Sequence, residues 1–335
     1  MAIKRKLEST NEYGDGVAWI RGPILGKGSF GSVYKANLKN PKSQFSFLPA
    51  EMAVKSAEAS VSSTLRDEKE IMSRLKGCTF IIRCYGEETT IGDNGVMAYN
   101  LLLEYGSGGT LADRIKKQWR LSEVEVRAHT RSLLRGLSHI HGLGYVHCDL
   151  KPENTLLVPS CGEGLSKKSS NKRRKLTEAC HWRGTPMYLS PESVTGFAQE
   201  APSDIWALGC VVLEMLTGKR PWEGEKEEIL TRIGAEKELP KIPDWISEDA
   251  WDFLMCCFER EPGQRLTAEL LLDHPFVDAS CNYDGDVEEL DEFSCDRSIP
   301  DDWLLSSCKN AKNASFTRHY PLIEGPVAFP IAAGV

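Results

Sequence analysis

The run His147-Cys-Asp149-Leu-Lys151-Pro-Glu-Asn154 places three functional groups of different kinds within one short loop. Asp149 can orient a hydroxyl and accept its proton, Lys151 can neutralise a phosphate, and the amide oxygen of Asn154 can ligate Mg²⁺. We therefore interpret Asp149 and Lys151 as catalytic residues and Asn154 as a metal ligand. His147 is more simply interpreted as a packed, hydrogen-bonded scaffold residue.

A glycine-rich segment lies far upstream of this loop. Gly26-Lys-Gly28-Ser-Phe-Gly31-Ser-Val33 fits the pattern G-x-G-x-x-G-x-V, whose glycines let the backbone approach phosphate oxygens closely. Alone, the pattern also fits a tight hairpin or a dinucleotide-binding turn. The next residues along the chain are strand-like, whereas a dinucleotide-binding unit would begin a helix there, so the phosphate loop and the plain hairpin stay as the alternatives.

Lys55 ends an apolar, strand-like run, Met52-Ala-Val-Lys55. Such a lysine often extends its charge into solvent, but its position after the glycine loop favours contact with the α- and β-phosphates of a nucleotide. Glu68, in the next predicted helix, is the expected partner of this lysine. Glu70 is the alternative carboxylate on that helix.

These residues must be positioned by two dissimilar halves of the chain. Short strand-like runs extend from Val17 to Leu103, interrupted by one helical pattern over 63–75. After the glycine-bearing segment that begins at Tyr105, the pattern predicts helices over 124–141, 203–216, 225–233, 250–257 and 268–272. We therefore expect an α+β fold of two lobes, with the site in the cleft between them.

Together, these motifs resemble those of eukaryotic protein kinases over residues 18–277. Gly184–Glu192 resembles the substrate-binding loop of that family. Ser203–Gly209 is similar to its buried helix, in which Asp204 would order the catalytic loop, and Arg265 resembles the arginine that pairs with Glu192.

Two further features narrow the resemblance. Lys151 together with Thr185 is similar to serine/threonine rather than tyrosine kinases. The runs CDLKPEN, RGTPMYLSPESV and SDIWALGCVVLEMLTGKRPW resemble plant MAP kinase kinase kinases. This resemblance implies transfer of the ATP γ-phosphate to a protein, with a MAP kinase kinase as the expected substrate.

The resemblance also implies the bilobal protein kinase fold, with a β-rich N-lobe over 18–105 and a helical C-lobe over 106–277. Residues 1–17 are expected to form a flexible leader. The tail over 278–335 begins acidic and ends apolar, and we expect it to be partly disordered.

ATP and Mg²⁺ are the cofactors that the resemblance implies. Leu103 would guard the back of the adenine pocket, and the hinge from Glu104 to Gly106 would offer main-chain hydrogen bonds to adenine. The complete set of expected nucleotide-binding residues is Leu25, Gly26, Gly28, Gly31, Val33, Ala53, Lys55, Glu68, Leu103, Glu104 and Gly106.

Two departures from the family pattern bear on activity. Cys148 stands where the family usually has an arginine, which argues against control through a phosphorylated activation loop. More seriously, no Asp-Phe-Gly occurs between Asn154 and Gly184. The closest trace, Gly162-Glu-Gly-Leu165-Ser-Lys-Lys, starts eight residues after Asn154, and the short strand expected before the motif is also missing.

The missing aspartate would hold the metal that bridges the phosphates, so its loss leaves two interpretations. One is a pseudokinase or scaffold with weak or no phosphate transfer. The other is a kinase sequence from which a segment near residues 158–165 has been skipped, and the retention of Lys55 and Asp149 favours it. Glu163 is a candidate for a partial substitute.

Composition limits the remaining classes. The net charge is −7 and the sequence pI is about 5.6, which argues against a nucleic-acid-binding protein in spite of the basic run Lys167–Lys175. The 11 cysteines have irregular spacing, so we expect no zinc site and a reduced compartment. No apolar run is long enough for a membrane span. We expect a cytoplasmic monomer, and the basic run is either a solvated loop or a nuclear import signal.

Overall fold

The structure is a computed structural model. It describes residues 12–28, 31–40, 45, 47–159, 165–169, 184–196, 198–278 and 327–328, and for 159, 165–169 and 327–328 it describes the backbone alone. No helix in this described part is both long and apolar enough to cross a bilayer.

The N-terminal lobe is a five-stranded antiparallel sheet with strand order β1-β2-β3-β5-β4. Its strands are β1 (Trp19–Gly28), β2 (Gly31–Leu38), β3 (Glu51–Glu58), β4 (Cys84–Ile91) and β5 (Met97–Leu103). β3 is buried at every position from Met52 to Ala57, as expected for a central strand covered on both faces.

One helix, α1 (Ser63–Arg74), connects β3 to β4. Its buried residues are Leu65, Glu68, Ile71 and Met72, which recur at the three- and four-residue spacing of one helical face. The apolar members of this face hold the helix against the sheet, and they carry the carboxylate of Glu68 inward with them.

The C-terminal lobe is mainly helical. Its elements in chain order are α2 (Leu111–Gln118), α3 (Glu123–Gly142), β6 (Tyr145–Val146), β7 (Thr155–Pro159), β8 (Leu165–Ser169), α4 (Pro191–Gly196), α5 (Ala201–Thr217), α6 (Lys226–Gly234), α7 (Glu248–Cys257) and α8 (Ala268–Leu272). A last strand, β9 (Val327–Ala328), pairs in parallel with β6.

The helix α5 is the centre of the C-terminal core. Thirteen of its 17 residues are buried, which is typical of a helix that is apolar on all sides. Trp206 on α5 packs edge-on against Phe258, with ring centroids 5.2 Å apart. Because α5 is buried within the core, the polar residues at its N-terminal end are held in fixed positions and can anchor the neighbouring loops.

The six helices predicted from hydrophobic periodicity are confirmed, with ends within two residues of the predicted ones. The helices α2 and α4 were not predicted. α2 buries only Leu111 and Ile115, and its start is fixed by a capping box in which Thr110 and Asp113 exchange side-chain to backbone hydrogen bonds. Two buried residues in eight give too weak a periodic signal to detect.

The expectation that no strand precedes the missing metal motif is wrong. β8 pairs antiparallel with β7, with Thr155 opposite Ser169 and Pro159 opposite Leu165. The residues that form it are those of the trace Leu165-Ser-Lys-Lys. In the family, residues of this kind come after the metal aspartate, whereas here they form the strand that should precede it.

The predicted flexible leader divides into two parts. Residues 1–11 lie outside the described residues. Residues 12–17, in contrast, are hydrogen-bonded to the sheet: Val17 N donates to Glu88 at 2.7 Å, and Gly14 O accepts from Arg21 at 2.9 Å. This short segment belongs to the N-terminal lobe.

Candidate active site

A cavity of about 330 Å³ lies between the sheet and the start of the helical lobe. The predicted residues that line it are Leu25, Gly26, Gly28, Gly31, Val33, Ala53, Lys55, Glu68, Leu103, Glu104, Gly106 and Asn154. The structure thus brings together all of the predicted nucleotide-binding residues and the predicted metal ligand. The cavity is of a size typical for small-molecule and cofactor sites.

Lys55 and Glu68 form a buried ion pair in this cavity. Their Nζ and Oε2 atoms are 2.6 Å apart, and the side chains are 3% and 1% exposed. The alternative carboxylate, Glu70, is instead exposed and pairs with Arg74. Because β3 and α1 meet through this pair, the ammonium of Lys55 is held at a fixed point inside the cavity.

Gly31 is required by the backbone as well as by the motif. Its φ is +133°, and a Cβ at this position would lie 2.3 Å from the carbonyl oxygen of Ser56. No L-residue with a side chain fits there. Ser29 and Phe30, between β1 and β2 in the sequence, lie outside the described residues.

The hinge follows β5 directly. Leu103, the last residue of that strand, is buried and stands opposite Ala53 of β3. The main-chain N–H of Glu104 already donates to Arg83 O at 2.9 Å, so this hinge donor is engaged within the chain.

Several cavity residues were not predicted from the sequence. Ile82 and Leu156 supply apolar walls, and Glu153 supplies a carboxylate. The Oε2 atom of Glu153 is buried and has no hydrogen-bond partner among the described residues. Leu156 could have been found, since it is an apolar residue two positions after Asn154, whereas Ile82 lies in a loop with no motif of its own.

The predicted catalytic residues form one hydrogen-bonded cluster. Asn154 Nδ2 donates to Asp149 Oδ2 at 2.9 Å and to the Asp149 carbonyl at 2.8 Å. Lys151 Nζ lies 3.4 Å from Asp149 Oδ2 and donates to Thr185 Oγ1 at 2.8 Å. Thr185 Oγ1 in turn donates to Asp149 Oδ1 at 3.3 Å. The carboxylate of Asp149, the ammonium of Lys151 and the hydroxyl of Thr185 in the substrate loop therefore all contact one another.

Burial raises the pKa of the Asp149 carboxyl above its usual value. The charge of Lys151 and hydrogen bonds from Asn154, Lys151 and Thr185 oppose this increase. The opposing effects leave a carboxyl that binds a proton more readily than an exposed aspartate does, which suits a group that receives a proton from a hydroxyl.

Asp204 at the start of α5 fixes the shape of the catalytic loop. Its carboxylate accepts hydrogen bonds from the main-chain N–H of His147 at 2.7 Å and of Cys148 at 2.9 Å. Cys148 has a φ of +63°. This left-handed conformation is energetically unfavourable for any residue that has a side chain. The buried Asp204 stabilises this conformation, as expected from the family resemblance.

The substrate loop is held at both of its ends, by the catalytic loop at one end and by Arg265 at the other. Gly184 has a φ of +104°, and a Cβ there would lie 2.8 Å from Cys148 O, so only glycine allows this approach. At the other end, Glu192 pairs with Arg265 at 2.7 Å, and a second bond of 3.1 Å joins Arg265 Nη2 to Glu192 Oε2. This bidentate pair is the one that the sequence predicted.

The fit of the site to Mg²⁺ is partial. The amide nitrogen of Asn154 is directed at Asp149, which leaves its Oδ1 as an oxygen ligand. The sequence between Asn154 and Gly184 contains no aspartate; its two carboxylates, Glu163 and Glu178, lie outside the described residues. One protein ligand of the expected two is therefore identified.

A second group of potential ligands lies in the C-terminal lobe, on α7 and just after α8. One atom from each of Asp252, Cys256 and His274 lies within 4.8 Å of the others. However, His274 Nδ1 accepts the N–H of Phe276 at 3.1 Å, so Nε2 carries the proton and donates to Asp252. A bound metal would have to displace that proton and reverse the tautomer, so we assign this group to packing.

Comparison with known proteins agrees with this geometry. Residues 19–277 match the protein kinase domain family. The chain is 43% identical to mitogen-activated protein kinase kinase kinase 20 of Arabidopsis thaliana, over 77% of this chain and 78% of that protein. It is 39% identical to kinase kinase kinase 17 of the same organism, over 77% and 69%.

A more distant relative is the yeast serine/threonine-protein kinase BCK1/SLK1/SSP31 of Saccharomyces cerevisiae. It is 33% identical over 88% of this chain and 20% of its own length. Three findings agree: the family match covers both lobes, Lys55 and Glu68 form a buried pair, and Asp149 lies at the centre of a hydrogen-bonded cluster. The chain belongs to the protein kinase family, within its serine/threonine class.

Proposed function

We propose that this chain transfers the γ-phosphate of ATP to a serine or threonine hydroxyl of a MAP kinase kinase. The observation that carries the proposal is the hydrogen-bonded cluster of Asp149, Lys151, Asn154 and Thr185. Its member Asn154 lines the cavity that contains the Lys55–Glu68 pair. The names of the most similar relatives support the choice of substrate.

The lining of the cavity suits ATP. Val33, Ala53 and Leu156 form apolar surfaces for a flat base, and the glycines of β1 and β2 line the region where phosphates would be bound. Lys55 supplies a buried positive charge whose position is fixed by Glu68. These are the features with which protein kinases hold a nucleotide.

In the transfer step, Asp149 orients the substrate hydroxyl and accepts its proton. Lys151 lies beside Asp149 and neutralises charge on the transferred phosphate, and Thr185 links both residues to the substrate loop. Phosphoryl transfer depends chiefly on such positioning and electrostatics. Magnesium, when bound, neutralises the developing charge on the phosphate oxygens, and Asn154 is the residue that would hold it.

The single identified metal ligand sets an expectation for the rate. Charge stabilisation by a metal ion is worth several kcal/mol, and each 1.36 kcal/mol is about tenfold in rate. We therefore propose that the chain is an intrinsically slow kinase, of the order of a thousandfold below a chain with both ligands.

The test is transfer of labelled phosphate from ATP to a MAP kinase kinase that has been inactivated by mutation. Two matched variants on α1 provide the control. Glu68→Gln is expected to lower transfer strongly because it breaks the buried pair, whereas Glu70→Gln changes an exposed carboxylate and is expected to leave transfer unchanged. Equal effects of both variants, or transfer to the substrate by Asp149→Asn at the original rate, would contradict the proposal.

The effect of the missing metal ligand is tested separately by restoring a carboxylate. One variant carries an inserted Ala-Asp-Phe-Gly before Leu165. The other carries Ser170→Asp, which places the carboxylate directly after β8 in the sequence. Ser170→Asp is expected to raise transfer by orders of magnitude. The insertion enters the hairpin opposite Pro159, at the end away from Asn154, and is expected to raise transfer less. If neither changes the rate of a chain that already transfers phosphate vigorously, the interpretation of the missing ligand is wrong.

We also propose that the chain acts in the cytoplasm, on the basis of its cysteine content. The competing candidate is nuclear import through the basic run. Fluorescence microscopy of a tagged chain, with and without replacement of Lys172–Lys175 by glutamine, distinguishes the two.

A further inference from the structure

Two basic stretches of the C-terminal lobe, one of which contains a tryptophan, meet on a surface outside the active site. One is Lys116-Lys-Gln-Trp119-Arg120 at the end of α2, and the other is Gly218-Lys219-Arg220 after α5. We define the basic-aromatic surface as Lys116, Lys117, Trp119, Arg120, Lys219, Arg220 and Trp245.

Main-chain contacts hold these stretches together. A Cβ on Gly218 would lie only 1.5 Å from the carbonyl oxygen of Trp119, so the two loops touch at that glycine. Leu121 N also donates to Met215 O at 2.9 Å. The guanidinium of Arg120 lies 4.8 Å from the ring centroid of Trp245. Backbone contacts therefore hold the two stretches together, and Trp245 joins them through the side chain of Arg120.

Its two tryptophans are the most exposed of the tryptophans that the structure describes, ahead of Trp251 at 48%. Trp119 is 85% exposed and Trp245 is 57% exposed, whereas Trp19, Trp206 and Trp222 are all at most 3% exposed. Tryptophan is strongly enriched at the centres of protein interfaces because it buries a large apolar area. Two such rings beside a guanidinium are typical of a surface that is covered by a partner.

The backbone at Trp119 is strained. Its φ of +69° and ψ of −40° lie in a region that bulky L-residues rarely adopt and that costs about 1–3 kcal/mol. The side chain does not recover this cost by packing within the chain, because it is almost fully exposed. A glycine would adopt the same conformation without strain, so the strained tryptophan serves something other than the stability of the free chain.

The surface carries a positive charge, and Glu214 on α5 is a nearby carboxylate whose ionisation the charge of Arg220 favours. Within the described part of the chain, none of its five cations takes part in an ion pair, and neither stretch contains a carboxylate. Three other adjacent carboxylates are engaged elsewhere: that of Asp113 accepts hydrogen bonds from Thr110 at the start of α2, Glu123 pairs with Arg127 and Glu125 pairs with Arg114. Asp244, next to Trp245, is an exposed exception.

We propose that the basic-aromatic surface binds a short acidic segment of a partner protein, one that carries aromatic or aliphatic residues among its carboxylates. The cations would pair with the carboxylates, and the two tryptophans would cover the apolar residues. The chain as a whole has a net charge of −7, which repels extended polyanions such as a nucleic acid or an anionic membrane. A short segment contacts only the local positive charge and is favoured for that reason.

The test uses a fluorescein-labelled peptide rich in Glu and Leu, with binding measured by fluorescence anisotropy on the full chain. The matched peptide has every Glu replaced by Gln. We expect the acidic peptide to bind, to weaken as salt is raised, and to bind at least tenfold more tightly than its neutral counterpart. Vesicles containing phosphatidylserine and a duplex RNA serve as the competing polyanions.

Three variants make the test specific. Trp119→Gly and the double variant Lys117→Glu/Lys219→Glu are each expected to weaken peptide binding at least tenfold. Trp251→Ala, which removes another exposed tryptophan (48% exposed) from outside the surface, is expected to leave it unchanged. Trp119→Gly should also keep or raise the melting temperature, because glycine relieves the strain, and phosphate transfer to a generic substrate should not change.

Several results would overturn the proposal. Absence of peptide binding would do so, as would tighter binding to vesicles or RNA than to the peptide. Equal loss of binding on Trp251→Ala would show that the surface is not the site. A lower melting temperature of Trp119→Gly would show that the tryptophan is kept for stability.

Discussion

Glu214 on α5 offers a prediction about pH that comes directly from its surroundings. Burial raises its pKa to about 7, from an ordinary value near 4.5. Tyr188 of the substrate loop donates its hydroxyl to Glu214 Oε2 at 2.6 Å, which opposes the increase, as does the charge of Arg220, while Glu153 adds to it. A carboxylate that joins the core helix to the substrate loop thus titrates near neutral pH.

The sign of the effect on stability is set by the two pKa values. The folded chain binds the Glu214 proton more tightly than the unfolded chain, so this contribution to stability is complete below about pH 4.5 and is lost as the pH rises through about 7. The difference between the two values corresponds to about 3 kcal/mol. For a domain of this size, that is a decrease in melting temperature of about 6–12 °C.

The informative substitution is Glu214→Gln, which has nearly the same shape and still accepts the hydrogen bond from Tyr188 but cannot ionise. We expect the variant to match the parent near pH 5 and to be more stable above pH 7, by up to about 3 kcal/mol. Thermal or urea denaturation at a series of pH values measures this difference. Tyr188→Phe is the matched control. Removal of the hydrogen-bond donor raises the pKa of Glu214 further, so the loss of stability with rising pH becomes larger.

Two outcomes would contradict this account of Glu214. Parallel stability curves for the parent and Glu214→Gln across the whole pH range would show that Glu214 ionises normally. A variant that is less stable than the parent at high pH would show that the ionised carboxylate is favourable in the folded chain.

Three further predictions concern the site and its support. Asp149→Asn should lower phosphate transfer by about 10²–10⁴-fold while ATP still raises the melting temperature; unchanged transfer would remove Asp149 from the mechanism. ATP alone should stabilise the chain, and Mg²⁺ should add little while a metal ligand is missing; a large magnesium-dependent shift would show a complete metal site. Glu192→Gln should lower the free energy of unfolding by about 3–5 kcal/mol because it leaves the fully buried Arg265 uncompensated. Glu70→Gln, in an exposed pair, should change it far less, and urea denaturation measures both.

The parts of the site that were predictable from sequence are those fixed by short-range geometry. The order and spacing of Asp149, Lys151 and Asn154 within one loop determine their cluster, because a few residues of chain cannot place them far apart. Lys55 and Glu68 were predictable for a related reason. A lysine on a central strand and a carboxylate on the buried face of the next helix are both removed from water, so each needs a partner of opposite charge, and they are near one another.

Features that depend on contacts between distant segments could not be predicted. The unpartnered carboxylate oxygen of Glu153 and the wall formed by Ile82 arise where separate loops meet the cavity. The strained Trp119 is held by Gly218, a residue far along the chain. The burial of Glu214 sets its pKa and depends on how the substrate loop packs on α5. Neither segment contains a sequence motif from which this packing could be predicted.

The strand β8 limits how the missing metal ligand can be explained. Because Leu165–Ser169 pairs along the full length of β7, the residues that resemble the family sequence after the metal aspartate already form the strand before it. The next residues, Ser170 and Asn171, then stand in sequence where the Asp-Phe-Gly motif would begin, and neither has a carboxylate. A short connection from β7 therefore preserves the hairpin beneath the cavity and with it the positions of Asn154 and Asp149. The fold can retain the nucleotide cavity and the catalytic cluster intact while the metal ligand alone is lost, and the rate of transfer is the property that this loss should affect.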